Sequence, residues 1–363
     1  MSMYLAGFGL AVPEHAIAQT DAAKLGLSFS SPDGSRERTL QALYKRSGVT
    51  KRHSVLLETS EGPVENRQSF YPPIECADDP GPSTEARMLA FEQHAPPLVA
   101  SAGRRALGDA QMAADEITHL VTVSCTGFFA PGLDAALVET LGLRRTVQRT
   151  HVGFMGCHGA LNGLRVASSF TGADKDARVL LCSVELCTLH LAYGWDPERL
   201  VANALFADGA AAVVGIPADE RHDGWKVAAS GTLLLPDSPE AMSWRIGDNG
   251  FRMTLAPQVP DLIQAHVAGW LREWLHDQGV ALEDVRSWAV HPGGPRVLTA
   301  FGQSVGLEKQ ALWASREVLA DYGNMSSATI LFILQRMREA GAEGPCVAVA
   351  FGPGLVAEVA LLV

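Results

Sequence analysis

A cysteine lies between glycines in Gly153-Phe154-Met155-Gly156-Cys157-His158-Gly159-Ala160-Leu161, where an apolar stretch gives way to small and aliphatic residues. The pattern predicts a strand or loop turning sharply into a buried helix. A thiol at a helix N-terminus faces the positive end of the helix dipole, which favours the thiolate. Flanking glycines let a substrate approach the backbone closely. Cys157 is thus a candidate nucleophile; the alternative is a small core cysteine packing a glycine-rich helix.

Two later segments offer partners for such a thiol. Val285 to Val290 reads as a strand, and the turn His291-Pro292-Gly293-Gly294-Pro295 leaves His291 at its C-terminal end. Tyr322-Gly323-Asn324-Met325-Ser326-Ser327-Ala328 opens an apolar helix over Thr329 to Met337, with Asn324 at its start. A histidine after a strand and an asparagine before a helix each have structural explanations, the second as a cap. With Cys157 they make a nucleophile, an acid/base and an amide donor, each on a turn beside a rigid element.

The elements that must position them occur twice. Thr118 to Cys125 is a strand followed by a helix-like Gly132 to Val138, and Ser287 to His291 is a strand followed by Arg296 to Phe301. The Cys157 helix matches the Asn324 helix. Strands at Arg178 to Ser183 and Gly209 to Val214 match those at Cys346 to Phe351 and Val356 to Leu361. Continuous apolar runs indicate elements buried on both faces, as in layered α/β folds. We expect one half over residues 1–216 with the nucleophile and another over 217–363 with His291 and Asn324. A pseudo-twofold would bring all three to the seam.

The N-terminal region is less regular. Glu61 to Pro82 reads as an irregular surface stretch, and Glu85 to Gly108 as a helix interrupted by Pro96-Pro97. Arg36, Arg38, Lys45, Arg46, Lys51 and Arg52 form the densest basic region, either a solvated helix face or a landing site for phosphates.

The chain has 363 residues, 47% of them hydrophobic and 19% charged, enough for a substantial core. A net charge of -11 argues against general nucleic-acid binding. The cysteines at 76, 125, 157, 182, 187 and 346 show no zinc-ligand spacing. No signal peptide opens the chain and no run reaches about 18 apolar residues, so a cytoplasmic protein without a membrane span is expected.

These segments resemble the type III polyketide synthases, the chalcone synthase-like family of the thiolase fold. The resemblance rests on Gly156-Cys157, Ala289-Val290-His291-Pro292-Gly293-Gly294-Pro295 and Tyr322-Gly323-Asn324-Met325-Ser326-Ser327-Ala328. Leu205-Phe206-Ala207-Asp208-Gly209-Ala210-Ala211-Ala212 and Phe351-Gly352-Pro353-Gly354 also match, in order, from about residue 40 to the C-terminus. The resemblance implies a duplicated, layered α/β/α/β/α fold. It implies catalytic roles for Cys157, His291 and Asn324, gatekeeper roles for Phe206 and Phe251, and a shaping role for the Gly352-Pro353-Gly354 turn. The implied reaction is iterative decarboxylative condensation of malonyl-CoA onto an acyl-CoA starter, then cyclisation, by a homodimer. CoA thioesters are substrates, and neither a metal nor another cofactor is implied.

The chain departs from plant members of the family. Ala350 stands where they have the first glycine of the turn. Arg46 alone aligns with their CoA-phosphate residues, Thr39 and Ala42 taking the other places, which leaves Arg36, Arg38 or Lys45 as the expected replacements for these contacts. His158 replaces an aromatic residue. Ala130 stands where they push a methionine into the partner's cavity, Cys187 where they carry threonine, and His190 near another cavity-lining position. Small residues at 130 and 187 with a bulky one at 190 imply a medium or long acyl starter, few extensions, and alkylresorcinol or alkylpyrone products. The runner-up is an aromatic or malonyl-only starter. Other competing readings are a ketoacyl synthase III-like enzyme, which needs a carrier protein, and a non-catalytic binding protein that keeps the fold.

Overall fold

A computed structural model describes residues 2–31, 35–76, 78–219 and 224–363, which include every candidate site residue. The described strands are β1 (Met3–Ala11), β2 (Ala16–Ala18), β3 (Lys51–His53), β4 (His119–Ser124), β5 (Gln148–Gly153), β6 (Val179–Leu186), β7 (Asp208–Pro217), β8 (Lys226–Leu234), β9 (Met242–Gly247), β10 (Gly250–Leu255), β11 (Ser287–Val290), β12 (Cys346–Gly352) and β13 (Val356–Leu362). Nine of them form one sheet in the order β11-β12-β13-β8-β1-β7-β6-β4-β5. Its two wings join where β1 meets β8 through Met3↔Val227 and Tyr4↔Lys226.

The wings repeat each other. β4 runs parallel to β6, and β7 antiparallel to β6 and β1. Likewise β11 runs parallel to β12, and β13 antiparallel to β12 and β8. The expected echo of strand, helix, strand, strand therefore holds. β5 has no counterpart in the second wing, where the helix Trp313–Tyr322 leads into Asn324 instead.

Strand periodicity sets the layers. Val121 and Leu181 face one way, and pack with Leu161 and Leu164 of the helix Gly159–Ala173 and with Ile330 and Phe332 of the helix Thr329–Glu339. Ala348 and Ala360 of the second wing close the same cluster, so these two helices form the central layer. Leu120 and Leu180, one residue out of phase, meet the helices Thr84–Asp109 and Leu133–Leu141 outside. Val347 and Val349 meet the helices Val259–Asp277 and Pro295–Val305. The result is the expected α/β/α/β/α arrangement, and β6, β7 and β12 are buried at every position because both faces are covered.

Two expectations fail. The helix Thr84–Asp109 runs through Pro96 and Pro97 without a break. The carbonyls that lose N–H partners belong to Glu92 and Gln93 on its exposed side. Its inner face is held tightly, because a Cβ on Gly9 of β1 would come within 2.0 Å of the Ala102 carbonyl oxygen. The stretch from 61 to 82 is irregular but not wholly superficial, since Tyr71 and Ile74 are buried.

Candidate active site

The nucleophile turn is built by backbone constraint. β5 ends at Gly153; Phe154 then takes a φ of 61° and Gly156 a φ of 72°, a left-handed geometry that favours glycine. A Cβ on Gly156 would lie 2.4 Å from Cδ of Pro353. The 352–354 turn therefore presses directly on the nucleophile turn. Residues Gly156–His158 form one 3-10 turn leading into the helix Gly159–Ala173, with Cys157 at its N-terminal end.

Asn324 enters from the other wing. Its N–H donates to the Leu205 carbonyl and its own carbonyl accepts from the Ala207 N–H, both at 2.9 Å. Its side-chain oxygen accepts the Ser326 N–H at 2.8 Å, which leaves the amide nitrogen as donor. Asn324 is not the cap of the α-helix, as the sequence suggested. A 3-10 turn, Ser326–Ala328, intervenes before Thr329. The Asn324 carboxamide and the Ser326 hydroxyl both act on the Cys157 thiol and favour its ionised form.

His291 follows β11 and donates its N–H to the Val349 carbonyl at 2.8 Å. It is 1% exposed, and neither ring nitrogen has a protein partner. Buried polar atoms are nearly always paired, so such an imidazole points to function. Burial, with a smaller push from His158, brings His291 down to about 3. Burial also pushes the Cys157 thiol up to about 12, outweighing the hydrogen bonds from Ser326 and Asn324. Burial thus works against the expected thiolate, while the hydrogen bonds from Ser326 and Asn324 work for it.

Cys157 lines a cavity of about 340 Å³ together with Cys187, His190, Phe206, Phe251 and Pro353. His190 donates from Nε2 to the Thr126 carbonyl (2.7 Å) and accepts the Phe251 N–H at Nδ1 (3.0 Å). Its ring stacks on Phe251 with centroids 4.2 Å apart. Burial brings it down to about 3, so it is a neutral brace for Phe251. Ala130 is exposed and does not line this chain's own cavity, and of the Gly352-Pro353-Gly354 turn Pro353 lines it. Arg46 is exposed at the end of the helix Glu37–Arg46 and lines no cavity either. Within the basic cluster, Arg52 is buried and donates to the carbonyls of Asn203 and Phe206, and Arg36 stacks over Trp195 at 4.7 Å. Among the described residues no group of His, Cys, Asp and Glu is placed to hold a metal, and no helix is long and apolar enough to cross a membrane.

Several cavity residues escaped the sequence reading. Trp244 donates from Nε1 to the Cys125 carbonyl (2.7 Å) and meets His190 edge-on. Met253 lines the cavity two residues beyond Phe251, on the same strand face. Cys125 and Ser326 lie 3.2 Å apart, Sγ to Oγ. Behind them sits Glu185, fully buried in β6, accepting from the Cys125 N–H (3.0 Å), the Thr126 hydroxyl (2.7 Å) and the Ser327 hydroxyl. Burial raises its carboxyl above the usual range, against those hydrogen bonds. Nothing local in an all-buried strand sequence singles out these contacts, although a lone glutamate within such a run is itself a signal.

Both parts of one family match the chain: chalcone and stilbene synthases, N-terminal domain over residues 2–219 and C-terminal domain over 226–363. The chain belongs to this family, the type III polyketide synthases, which are acyl-transferring enzymes. Among individual relatives, it is 37% identical over 359 residues to a 1,3,6,8-tetrahydroxynaphthalene synthase of Streptomyces peucetius subsp. caesius, covering 97% of this chain and 90% of that one. It is 32% identical over 362 residues to an alpha-pyrone synthesis polyketide synthase-like protein of Mycobacterium tuberculosis, covering 97% and 88%. The crystal structure of PKS-I from the brown alga Ectocarpus siliculosus superposes with a TM-score of 0.91 at 29% identity, covering 99% of this chain and 97% of that chain.

Proposed function

We propose that this enzyme loads an acyl-CoA starter on Cys157, extends it with malonyl-CoA and cyclises the poly-β-keto product. One observation carries this reading. A buried thiol, acted on by the Asn324 carboxamide and the Ser326 hydroxyl, opens on a largely apolar cavity. His291 takes the Cys157 proton as sulfur attacks the starter thioester. The new carbon–sulfur bond replaces the bond to CoA, and CoA leaves with that proton. Malonyl-CoA then loses carbon dioxide, and the electron pair moves onto the thioester oxygen. Asn324 and neutral His291 donate hydrogen bonds to that oxygen, each worth about 3 kcal/mol. The enolate carbon attacks the Cys157-bound acyl group, and the cycle repeats. Phe206 and Phe251 exclude water and shape the passage of the carboxylate. Arg46 is carried over as a CoA contact, and no further cofactor is invoked.

A cavity of about 340 Å³ lies at the small end for ligand sites, so starter and extensions share limited room. Cys187 opens the wall while His190 and Trp244 narrow it. We therefore assign a medium or long acyl starter with few extensions, giving alkylresorcinols or alkylpyrones. A malonyl-only starter is the second reading, favoured by the likeness to a tetrahydroxynaphthalene synthase. Product analysis with malonyl-CoA and a panel of short, aromatic and long acyl-CoAs, without carrier protein, decides between them. Neglect of all acyl-CoAs of about ten carbons or more would sink the first reading.

A homodimer is also proposed. β5 is an edge strand whose Gln148, Arg149, His151 and Gly153 are exposed, offering unpaired backbone groups to a second copy. Phe128, 53% exposed, lies in the loop that would reach the partner. A fully active monomer in light scattering at micromolar concentration would refute this. The free state of all six cysteines fits a reducing, cytoplasmic setting.

A further inference from the structure

Among the described residues, the largest side chain removed wholly from water is that of Arg87, near the start of the helix Thr84–Asp109. A guanidinium keeps its charge, and a buried charge is costly unless it is paired. Among the described residues no carboxylate pairs with this one. Its donors go to backbone and to one hydroxyl. Nη1 reaches the carbonyls of Leu189 (2.6 Å) and Leu191 (3.1 Å) and the Tyr71 hydroxyl (2.9 Å), and Nε reaches the Pro82 carbonyl (2.9 Å). The Tyr71 hydroxyl in turn donates to the Thr188 carbonyl at 2.9 Å. The carbonyls of Thr188, Leu189 and Leu191, which flank His190, are thus held by one pair of side chains. Cys187, His190 and Leu191 from this turn line the cavity.

The same helix end grips the opposite part of the wall. The Thr84 N–H donates to the Asp248 carbonyl at 2.7 Å. The Thr84 hydroxyl accepts the Gly250 N–H at 2.9 Å and donates to the Gly247 carbonyl. Both bonds hold the bend between β9 and β10. Gly250 has a φ of 95°, and a Cβ there would lie 2.9 Å from Cζ of Arg87. The guanidinium therefore packs on the backbone immediately before Phe251. Phe251 donates its N–H to Nδ1 of His190 and stacks on that ring. Arg87 itself does not line the cavity.

We propose that Arg87 is a positioning residue that, with Thr84, fixes His190 against Phe251 and so sets which acyl starters the cavity admits. A planar fork can donate to the 189–191 carbonyls while lying flat on Gly250. A lysine ammonium is a point charge and cannot do both. The contacts join two wall segments that are 61 residues apart at His190 and Phe251, so the spacing of this pair depends on the helix end behind it. The inference rests on the reading of the cavity as a starter pocket.

The test uses Arg87→Lys and Thr84→Val. Loading of short, medium and long acyl-CoAs on Cys157 gives a kcat/KM profile, and carbon dioxide release from malonyl-CoA gives a reference reaction that does not use the starter wall. Discrimination between the best and poorest acyl-CoA should fall about tenfold in Arg87→Lys, with decarboxylation within about twofold of wild type. Thr84→Val keeps the buried charge and should change the profile in the same direction by a smaller factor. Melting temperatures identify folded variants, and if Arg87→Lys does not fold, Thr84→Val decides alone. An unchanged profile in the folded variants overturns the inference. A parallel loss of loading and decarboxylation also overturns it, since a merely structural role predicts that result. A wild type that neither decarboxylates malonyl-CoA nor loads any acyl-CoA would instead sink the condensing-enzyme reading.

Discussion

Phe206 and Asn324 form a single parallel β-bridge between the two wings of the sheet. The backbone of Leu205 and Ala207 brackets Asn324 with two hydrogen bonds of 2.9 Å, and Arg52 ties down the Phe206 carbonyl at 2.8 Å. An aromatic of the cavity wall and the amide donor therefore share one rigid frame, although 118 residues separate them in sequence. Displacing either moves the other.

Asn324→Ala removes the proposed enolate donor. Carbon dioxide release from malonyl-CoA should fall about 10²–10³-fold in kcat. The variant also loses the acceptor for the Ser326 N–H, so its melting temperature should drop modestly. Decarboxylation within tenfold of wild type, in a folded variant, would remove Asn324 from the mechanism.

Cys157→Ala should abolish both acyl loading and product. The intact thiol, held near 12 by burial, should react with iodoacetamide at a rate rising about tenfold per pH unit from pH 6 to 9. Mass spectrometry of the Cys157 peptide gives that rate. A plateau below pH 7 would instead reveal a preformed thiolate–imidazolium pair.

His190 predicts a pH dependence of stability. Its folded value near 3 lies below the ordinary 6.5, so the unfolded chain takes up the proton first as pH falls. The stability it contributes is full above pH 6.5 and is lost progressively toward pH 3, about 2 kcal/mol by pH 5. His291 adds a loss of the same sign. Asp208, raised to about 6 by burial, acts oppositely, gaining stability as pH falls from 6 toward 3.8. His190→Gln cancels those shared contributions in a comparison. It should be less stable than wild type at pH 7 and lose less between pH 7 and 5 in urea titrations. Parallel losses would show that His190 is not the neutral brace.

Ala130→Trp tests the partner's contribution. Ala130 is exposed and touches no cavity of its own chain. In a homodimer the indole would enter the partner's cavity and shift preference toward shorter acyl-CoAs. Chain-length preference identical to wild type would exclude residue 130 from the wall.

The sequence by itself determined the repeated order of strands and helices, and the turns that carry Cys157, His291 and Asn324. Those signals are local: continuous apolar runs, glycines at sharp turns, and a polar residue where an apolar element ends. Tertiary structure decided what surrounds them. The Pro96-Pro97 helix continues because its weakened side faces water while its other side is clamped to β1. Glu185 reaches the site from a strand whose pattern shows only burial and Trp244 from a half-exposed hairpin, and their partners are 142 and 119 residues away. The protonation of Cys157 was likewise beyond the sequence. A helix start favours the thiolate, but only the packed site supplies the desolvation that opposes it.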